Sequence, residues 1–528
     1  MHRLLVYSLF VCTSLAFQFP FSIPIFKSKD SAHIEQAHVS PRIAIIGAGA
    51  GGTSAAFWIS KAKERFGIDV EIDVYERSDY IGGRSTVVYP YDDPTFAPLE
   101  LGASIFVDAN KNLMRASKEF NLTLTAFEDD DSNTGIWDGQ HFVLVIESGS
   151  YLKSWWATLK VLWRYGYTAP TRTKAIVQSV IDRFLGFYAP DSPRWDDLSV
   201  FTERFQWVSL TNQTASDFLE GNRVSPLFAR ELVEAATRVN YGQNVDEIHA
   251  LGGAASMAAT GASGVVAGNF LIFERFLQNS TANVFLNTNV KEIQRKPGTS
   301  LWTVYTSAGS QTYKGVILAA PFHQTDITLP SDLAELIPPQ PYVDLHVTLL
   351  TTRSEHSRPG YFGLTSNAQV PATILTTHEG ARAGGVEPEF NSISYHGKVR
   401  KVDGAAEDAV TDPESTVKIF SKERVPDEWL ETVFGNVSWV YRKLWQAYPV
   451  LLPTTEFPPV KLDQGFYYVN AFEPFISTME TETIASRNVV DLLLHEEFGS
   501  GICGALLSGT ENATQTTTPA DFVLGWDC

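Results

Sequence analysis

Three glycines in the order Gly47, Gly49 and Gly52 carry the clearest chemistry in this 528-residue chain. The strand-like run Arg42-Ile43-Ala44-Ile45-Ile46 leads directly into them, and small or apolar residues follow at helical spacing (Ala55, Ala56, Trp58, Ile59). In a strand–loop–helix setting, G-x-G-x-x-G seats a pyrophosphate. The first glycine allows the tight turn, the second lets the backbone approach the phosphates, and the third lets the helix pack close to the strand. The helix N-terminus adds N–H donors and positive dipole. A second strand-like run, Val70 to Tyr75, ends at Glu76, the distance at which an acid accepts hydrogen bonds from an adenosine ribose. A glycine-rich turn alone is weak. With the strand and the acid it reads as a dinucleotide site.

The stretch Glu76 to Ser85 follows the second strand directly and carries Arg77 and, after four intervening residues, Gly82-Gly83-Arg84. Two glycines let backbone pass close to a ligand, and a guanidinium fork suits its phosphates. Placed just after a ribose-binding strand, this motif signals FAD rather than NAD. Gly102-Ala103-Ser104 marks another close backbone approach, expected beside the flavin. No Ser/His/Asp, paired-carboxylate or Cys/His constellation stands out, and no His/Cys cluster has metal-ligand spacing, so no metal is expected.

The elements that would position these residues suggest α/β plus α+β architecture. A Rossmann-type FAD-binding domain of the two-dinucleotide-binding flavoprotein kind is expected in three parts, 41–120, 261–330 and 456–500. It is interleaved with a substrate domain at 121–260 (aromatic-rich) and 331–455, and 501–528 forms a C-terminal tail. Ala282 to Ile293 reads as a strand and Val224 to Val239 as a helix; Gly315 to Pro321 closes the nucleotide sheet. In this fold class Val290 sits where a backbone group meets the adenine. Gln340 to Thr352 and Val417 to Lys422 suggest an antiparallel sheet. A strand at Gly465 to Asn470 precedes a helix from about Ser477 to His495, its N-terminus aimed at the flavin. Tyr151 to Arg164 is amphipathic, with Lys153, Lys160 and Arg164 on one side. It reads as core packing under a basic stripe, as the wall of a lipophilic pocket, or as a helix resting on a membrane surface. The uncharged stretch Leu251 to Phe273 is too rich in Gly, Ala, Ser and Thr for a span and reads as buried backbone near a ligand.

The formal net charge of −19 argues against a nucleic-acid partner. His2 and Arg3 precede an apolar run to Ala16, so 1–16 reads as a secretory signal peptide and 17–40 as a leader. Sequons at Asn121, Asn212, Asn279, Asn436 and Asn512 agree with a glycosylated protein of the secretory pathway, in a vacuole or lysosome or outside the cell. With Cys12 lost in the signal, Cys503 and Cys528 either pair in an oxidising compartment or stand as two free buried thiols.

Later segments carry a family resemblance. Arg238-Val239-Asn240-Tyr241-Gly242-Gln243-Asn244, Pro341 to Thr348, Trp445 to Pro449, Phe466 to Glu473 and Ser477 to Glu480 together resemble the prenylcysteine oxidases, also called prenylcysteine lyases, over nearly all of the mature length. Departures from the animal members cluster at Val265-Val266-Ala267-Gly268-Asn269, which is smaller and neutral, and at Ala471 and Pro474. They are expected in or near the pocket and leave the exact substrate open. The resemblance implies a lipophilic thioether, farnesyl- or geranylgeranylcysteine, whose prenyl C1 gives a hydride to FAD. Water then adds, and the hemithioacetal collapses to cysteine and a prenyl aldehyde, while O2 reoxidises the flavin to yield H2O2. Hydride loss from a thioether needs no strong protein base, and no catalytic residue is assigned. His323, His346 and Glu473 are candidates to activate water by position only. His323 reads more readily as a loop histidine facing solvent, and Glu473 and Met479 are expected to hold the flavin, unless Glu473 caps the last helix. Tyr241 and Asn269 line the pocket or pack the core. Two other readings remain: a flavin oxidase of amines or of another thioether or peptide, and a secreted flavin-binding protein with little turnover. Against amine oxidation, Ala471-Phe472-Glu473 stands where a Gly-Asp or Gly-Glu step is usual.

Overall fold

Five parallel strands end at one edge, and the glycine motif lies on that edge. β1 (Arg42–Ile46) pairs with β2 (Glu71–Tyr75) on one side and with the Gly315–Leu318 strand on the other, with Ile46 opposite both Tyr75 and Leu318. The Phe466–Tyr468 strand continues the sheet, with Tyr468 opposite Leu318. Asn283–Phe285 and Lys461–Asp463 form its edges. β-Branched residues dominate β1, and Ile43, Ala44 and Ile45 are fully buried, as a parallel sheet covered on both faces requires. Residues just beyond the strand ends, Gly47, Glu76, Ala319 and Asn470, therefore share the carboxyl edge, where ligands bind in such sheets. The structure is a computed structural model that describes residues 40–126, 133–147, 151–259, 261–402, 414–504 and 521–528, with the backbone alone for 151–157. The signal and leader segments, Asn512 and the side chain of Lys153 lie outside the described residues.

α1 (Ala50–Phe66) runs back from the motif, and Trp58 and Phe57 on it are almost wholly buried. Each contributes about 1.5–3 kcal/mol from apolar burial. The helix packs against the long final helix Met479–Phe498, which also approaches the glycine loop: the Ser486 hydroxyl donates to the Gly51 carbonyl at 2.5 Å. A second sheet has seven strands. Val437–Pro449, Tyr342–Thr352, Ser415–Ser421, Ser392–Lys398 and Thr373–Thr376 lie side by side in antiparallel pairs, and the Thr134–Trp137 and Phe142–Ile146 hairpin extends them. Helices from 151 to 257 stand beside it. Their aromatic residues tie this region to the end of the nucleotide sheet: Phe187 stacks on Phe201 at 5.1 Å, Trp195 lies 5.0 Å from Phe472, and Trp207 lies 5.6 Å from Phe475.

Three elements differ from expectation. Ala282 to Ile293 is not one strand. Asn283–Phe285 joins the parallel sheet, and Val290–Arg295 starts a separate three-stranded meander. The break comes at Asn287, which adopts φ 52°, and the N–H groups of Asn287 and Thr288 donate to the carbonyls of Ser78 and Glu76. The Val224 to Val239 region is helical but carries a π-turn at Ala229–Val233 before Glu234–Tyr241. The final helix starts at Met479, capped by Thr478, whose hydroxyl accepts the Thr481 N–H at 3.0 Å while Thr481 Oγ1 accepts the Thr478 N–H at 2.9 Å. No helix among the described residues is long and apolar enough to cross a membrane. Leu251 to Phe273 is instead split into Ala250–Met257, a short strand at Ser263–Val265, and the start of Phe270–Gln278.

Candidate functional site

The glycine loop has no room for side chains. Gly47 has φ 105°, and a Cβ there would lie 2.5 Å from the Ala319 carbonyl oxygen; a Cβ on Gly52 would lie 1.8 Å from the Gly47 oxygen. Gly49 meets Gly82 across an isolated bridge, and the Gly82 N–H donates to the Ala48 carbonyl at 2.9 Å. Gly47, Gly49, Gly82, Gly83 and the first turn of α1 open onto a cavity of about 1130 Å³. Glu76 borders the same cavity, and its carboxylate accepts the N–H groups of Ala48 and Ser78, both at 2.8 Å. These bonds fix the carboxylate at the strand end and leave lone pairs free for ribose hydroxyls. The Asn287 to Val290 turn also borders the cavity, and Val290 is buried there. Arg77 lines the rim and donates to the Gln324 carbonyl at 3.1 Å. A backbone cradle, an anchored acid and a cavity of this size fit FAD.

Farther along, Arg84 is held from three sides. It ion-pairs with Glu473, donates to the Ala447 carbonyl at 2.9 Å, and lies 5.9 Å from the Tyr342 ring centre. Burial opposes the Arg84 charge, but Glu473 and Tyr342 outweigh it and raise its pKa. Glu473 is fully buried and also accepts from the Tyr342 and Ser477 hydroxyls. It does not cap the final helix, a role that Thr478 fills. Glu473 is thus the counter-charge that orients Arg84 toward the cavity. Met479 borders the cavity beside it, and so does the first turn of the final helix. That turn carries two buried acids. Burial raises Glu480 to about 7 although Tyr188 and the N–H groups of Asn112 and Leu113 all donate to it. Burial, then repulsion from Glu473, raises Glu482 well above the usual carboxylate range.

Gly102, Ala103 and Ser104 also border the cavity. A Cβ on Gly102 would lie 2.7 Å from the Trp445 ring, and Ala103 holds φ 53°. Asn269, expected to line the pocket, does not. It is completely buried behind this turn. Its Nδ2 donates to the Ala103 carbonyl at 2.8 Å, its Oδ1 accepts the Val265 N–H, and its N–H donates to Glu100 at 2.6 Å. An amide with both ends satisfied by backbone is a strut that fixes a strained turn. None of Val265 to Asn269 reaches the cavity, nor do Ala471 and Pro474, so these departures from the family pattern lie outside its lining. His323 is also off the cavity. Its Nε2 bonds the Ile337 carbonyl at 2.9 Å, because Pro321 turns the chain so that Gln324 faces inward instead. His346 faces away too, since alternation along its strand puts Leu345 on the cavity side.

Tyr241 does line the cavity. Its hydroxyl donates to the Ser477 carbonyl at 3.2 Å, and its ring meets Tyr448 edge-on at 5.6 Å. Val180, Ile181, Phe184 and Leu251 make an apolar wall on the helical side. The floor is the seven-stranded sheet, which presents Ser392, Ser394 and His396 from one strand and Lys418 and Phe420 from the next. Sequence reasoning missed Lys418, His396, Tyr448 and Glu482. The alternation of Ser392, Ser394 and His396 was the one available signal, since it puts three polar side chains on one face of a strand. Among the described residues no group of three or more His, Cys, Asp or Glu side chains is assembled to hold a metal ion. Cys503 and Cys528 form a disulfide, with Cα atoms 5.1 Å apart.

Residues 150–501 match the model of the family described as prenylcysteine lyase, and residues 45–120 match an NAD(P)-binding Rossmann-like domain. The chain is 30% identical over 468 residues to farnesylcysteine lyase of Arabidopsis thaliana, covering 86% of this chain and 88% of that one. It is 30% identical over 491 residues to prenylcysteine oxidase 1 of Mus musculus, covering 87% and 90%. Among solved structures, cyclohexylamine oxidase from Brevibacterium oxydans IH-35A superposes with a TM-score of 0.53 at 16% identity, covering 87% of this chain and 99% of that one. A CLA-producing fatty acid isomerase from P. acnes superposes with a TM-score of 0.54 at 14% identity, covering 86% and 98%. At such identities the superpositions establish the shared fold.

Proposed function

This chain belongs to the prenylcysteine lyase family, and on that premise we propose that it is an FAD-dependent oxidase that cleaves S-prenylcysteine thioethers with O2 and water. The observation that carries the reading is one continuous cavity that is lined both by the glycine cradle with Glu76 and by apolar side chains from the helices and polar ones from the seven-stranded sheet. Bound FAD would supply the acceptor for a hydride from the prenyl C1 and the route for those electrons to dioxygen. The protein's part is to seat and orient. The Gly47 to Gly52 loop and the first turn of α1 receive the pyrophosphate, and Glu76 receives the ribose. The Gly102 to Ser104 turn and the Arg84–Glu473 pair shape the region between cradle and substrate end. The Val180, Ile181 and Phe184 wall excludes water from a prenyl chain and aligns C1. Purified protein incubated with S-farnesylcysteine in air is expected to yield cysteine, farnesal and H2O2, and to yield no peroxide with putrescine. Peroxide from putrescine alone would overturn the reading.

We also propose entry into the secretory pathway and residence in a vacuole, a lysosome or the extracellular space. Asn121, Asn212, Asn279 and Asn436 are all exposed, which supports glycosylation, and a disulfide suits an oxidising compartment. Endoglycosidase treatment of the protein from its natural source should lower its mass; no shift would contradict this. Peripheral membrane contact through Tyr151–Tyr165 is supported by Trp163, whose side chain is 89% exposed. Described cations on that helix are engaged, Lys160 with Glu147 and Arg164 with Glu231, so the contact would rest on aromatic insertion. Loss of liposome binding on Trp163→Ala would support it, and unchanged binding would refute it.

A further inference from the structure

Lys418 stands on the floor of the cavity in an unusual state. It is buried, yet its partners among the described residues are neutral. Nζ donates to the Glu100 carbonyl at 2.9 Å and to Ser104 Oγ at 2.8 Å, and lies 5.1 Å from the Phe420 ring centre. An ammonium has three N–H donors, and two are spent. The acid nearest in effect is Glu100, whose Oε1 accepts the Asn269 N–H and whose Oε2 is buried without a hydrogen-bond partner, so Glu100 acts on Lys418 as a nearby charge and not through a direct ion pair. Burial lowers Lys418 while Glu100 opposes that, and burial raises Glu100. A buried cation without a direct anionic partner is costly unless a ligand supplies the anion.

The surroundings indicate the shape of that ligand. Lys418 is in register with Ser394 on the adjacent strand, and Ser392, Ser394 and His396 alternate onto the same cavity-facing side. His396 is exposed and borders the cavity, and desolvation, then the Lys418 charge, lower its pKa, so it meets the cavity as a neutral imidazole with one N–H to give. The polar floor is therefore a small cluster of donors around one cation. Val180, Ile181, Phe184 and Leu251 line the same cavity, without a charge among them. A cavity with a cationic floor and an apolar wall fits a long apolar chain that ends in a compact anionic head.

We propose that Lys418, assisted by Ser394 and His396, receives the α-carboxylate of the amino-acid head of the substrate, and so selects prenylated cysteine over prenyl thioethers that lack a carboxylate. The proposal rests on the oxidase reading above and names the substrate group that this part of the cavity binds. Lys418 is a binding residue for the head group; C1 and its hydride lie toward the flavin.

The test compares S-farnesyl-L-cysteine with S-farnesylcysteamine, which keeps the amine and the thioether but lacks the carboxylate. The wild type is expected to prefer the acid by about 10- to 100-fold in kcat/KM, carried by KM. Lys418→Met should collapse that ratio toward one, and Lys418→Arg should restore most of it, with flavin content monitored in each variant. A wild-type ratio near one overturns the proposal, and so does a Lys418→Met protein that keeps the ratio. A slowed reoxidation by O2 with an unchanged ratio would place Lys418 in the oxygen step and also overturn it. Should Lys418→Met fail to accumulate, Ser394→Ala serves: a severalfold fall in the ratio supports the seat, and no change refutes it. A wild type whose flavin is reduced by neither thioether contradicts the oxidase reading itself, an outcome distinct from equal turnover of both.

Discussion

A methyl group on Gly52 would sit 1.8 Å from the Gly47 carbonyl oxygen, so Gly52→Ala must open the loop proposed to receive the pyrophosphate. Overpacking of this kind costs about 1–3 kcal/mol in stability. The sharper effect is expected on the cofactor: the variant should purify with little or no flavin, read from the ratio of visible to ultraviolet absorbance. A second residue tests a different kind of support. Asn269→Ala removes the amide that bonds the Ala103 carbonyl and the Val265 N–H, and leaves two buried backbone groups unpaired. A loss of roughly 1–3 kcal/mol follows, together with a lower flavin occupancy because the Gly102 to Ser104 turn loses its strut. Thermal melting with and without added FAD separates the two effects. Unchanged flavin occupancy would show that the turn holds its shape without Asn269. The two residues also show what could be read without coordinates. Gly52 announces its role through fixed spacing in a motif. Asn269 belongs to no motif, and only the fold reveals that it sits behind the turn instead of in the cavity. Lys418 is likewise an ordinary lysine in a strand until the neighbouring strand sets Ser394 beside it.

At the scale of elements, the final helix ties the site to the rest of the molecule. Its location was legible in the run from Ser477, because a strand and then an amphipathic stretch are both visible there. Its cap was not, since Glu473 is the residue that reads as a possible cap and the geometry puts Thr478 there instead. The first turn also carries Glu480, whose pKa rises from the ordinary value of 4.5 to about 7 through burial. A folded-state pKa above the unfolded one means that the folded protein binds the extra proton. Stability is then greatest below about 4.5 and falls as the pH rises to about 7, by up to roughly 3 kcal/mol. Glu480→Gln should flatten the fall in melting temperature over that interval, at the expense of one accepted N–H bond. A slope identical to that of the wild type would show that Glu480 is ionised throughout. The interrupted strand at 282–293 makes a related point. Apolar alternation marked it as extended, but the turn at Asn287 depends on carbonyls of Ser78 and Glu76 far away in sequence.

For the whole molecule, interleaving of two sheets was readable from the order of strand-like and helical segments. The pairing of the second sheet was not, because it brings together strands from 134 to 449 with long intervening chain. The C-terminus closes over the nucleotide domain: Trp526 meets Phe57 at 5.0 Å and Trp58 at 5.3 Å, and Cys528 is bonded to Cys503. Replacing both cysteines by serine frees a segment of 25 residues and should cost about 3 kcal/mol, seen as a lower melting temperature that reductant no longer changes. The most direct test of the oxidase reading is an anaerobic titration of the purified flavoprotein with S-farnesylcysteine while the visible flavin band is recorded. Bleaching in proportion to added thioether, with recovery on admitting air, is the expected result. A band unmoved by the thioether, or one bleached by putrescine instead, would contradict it.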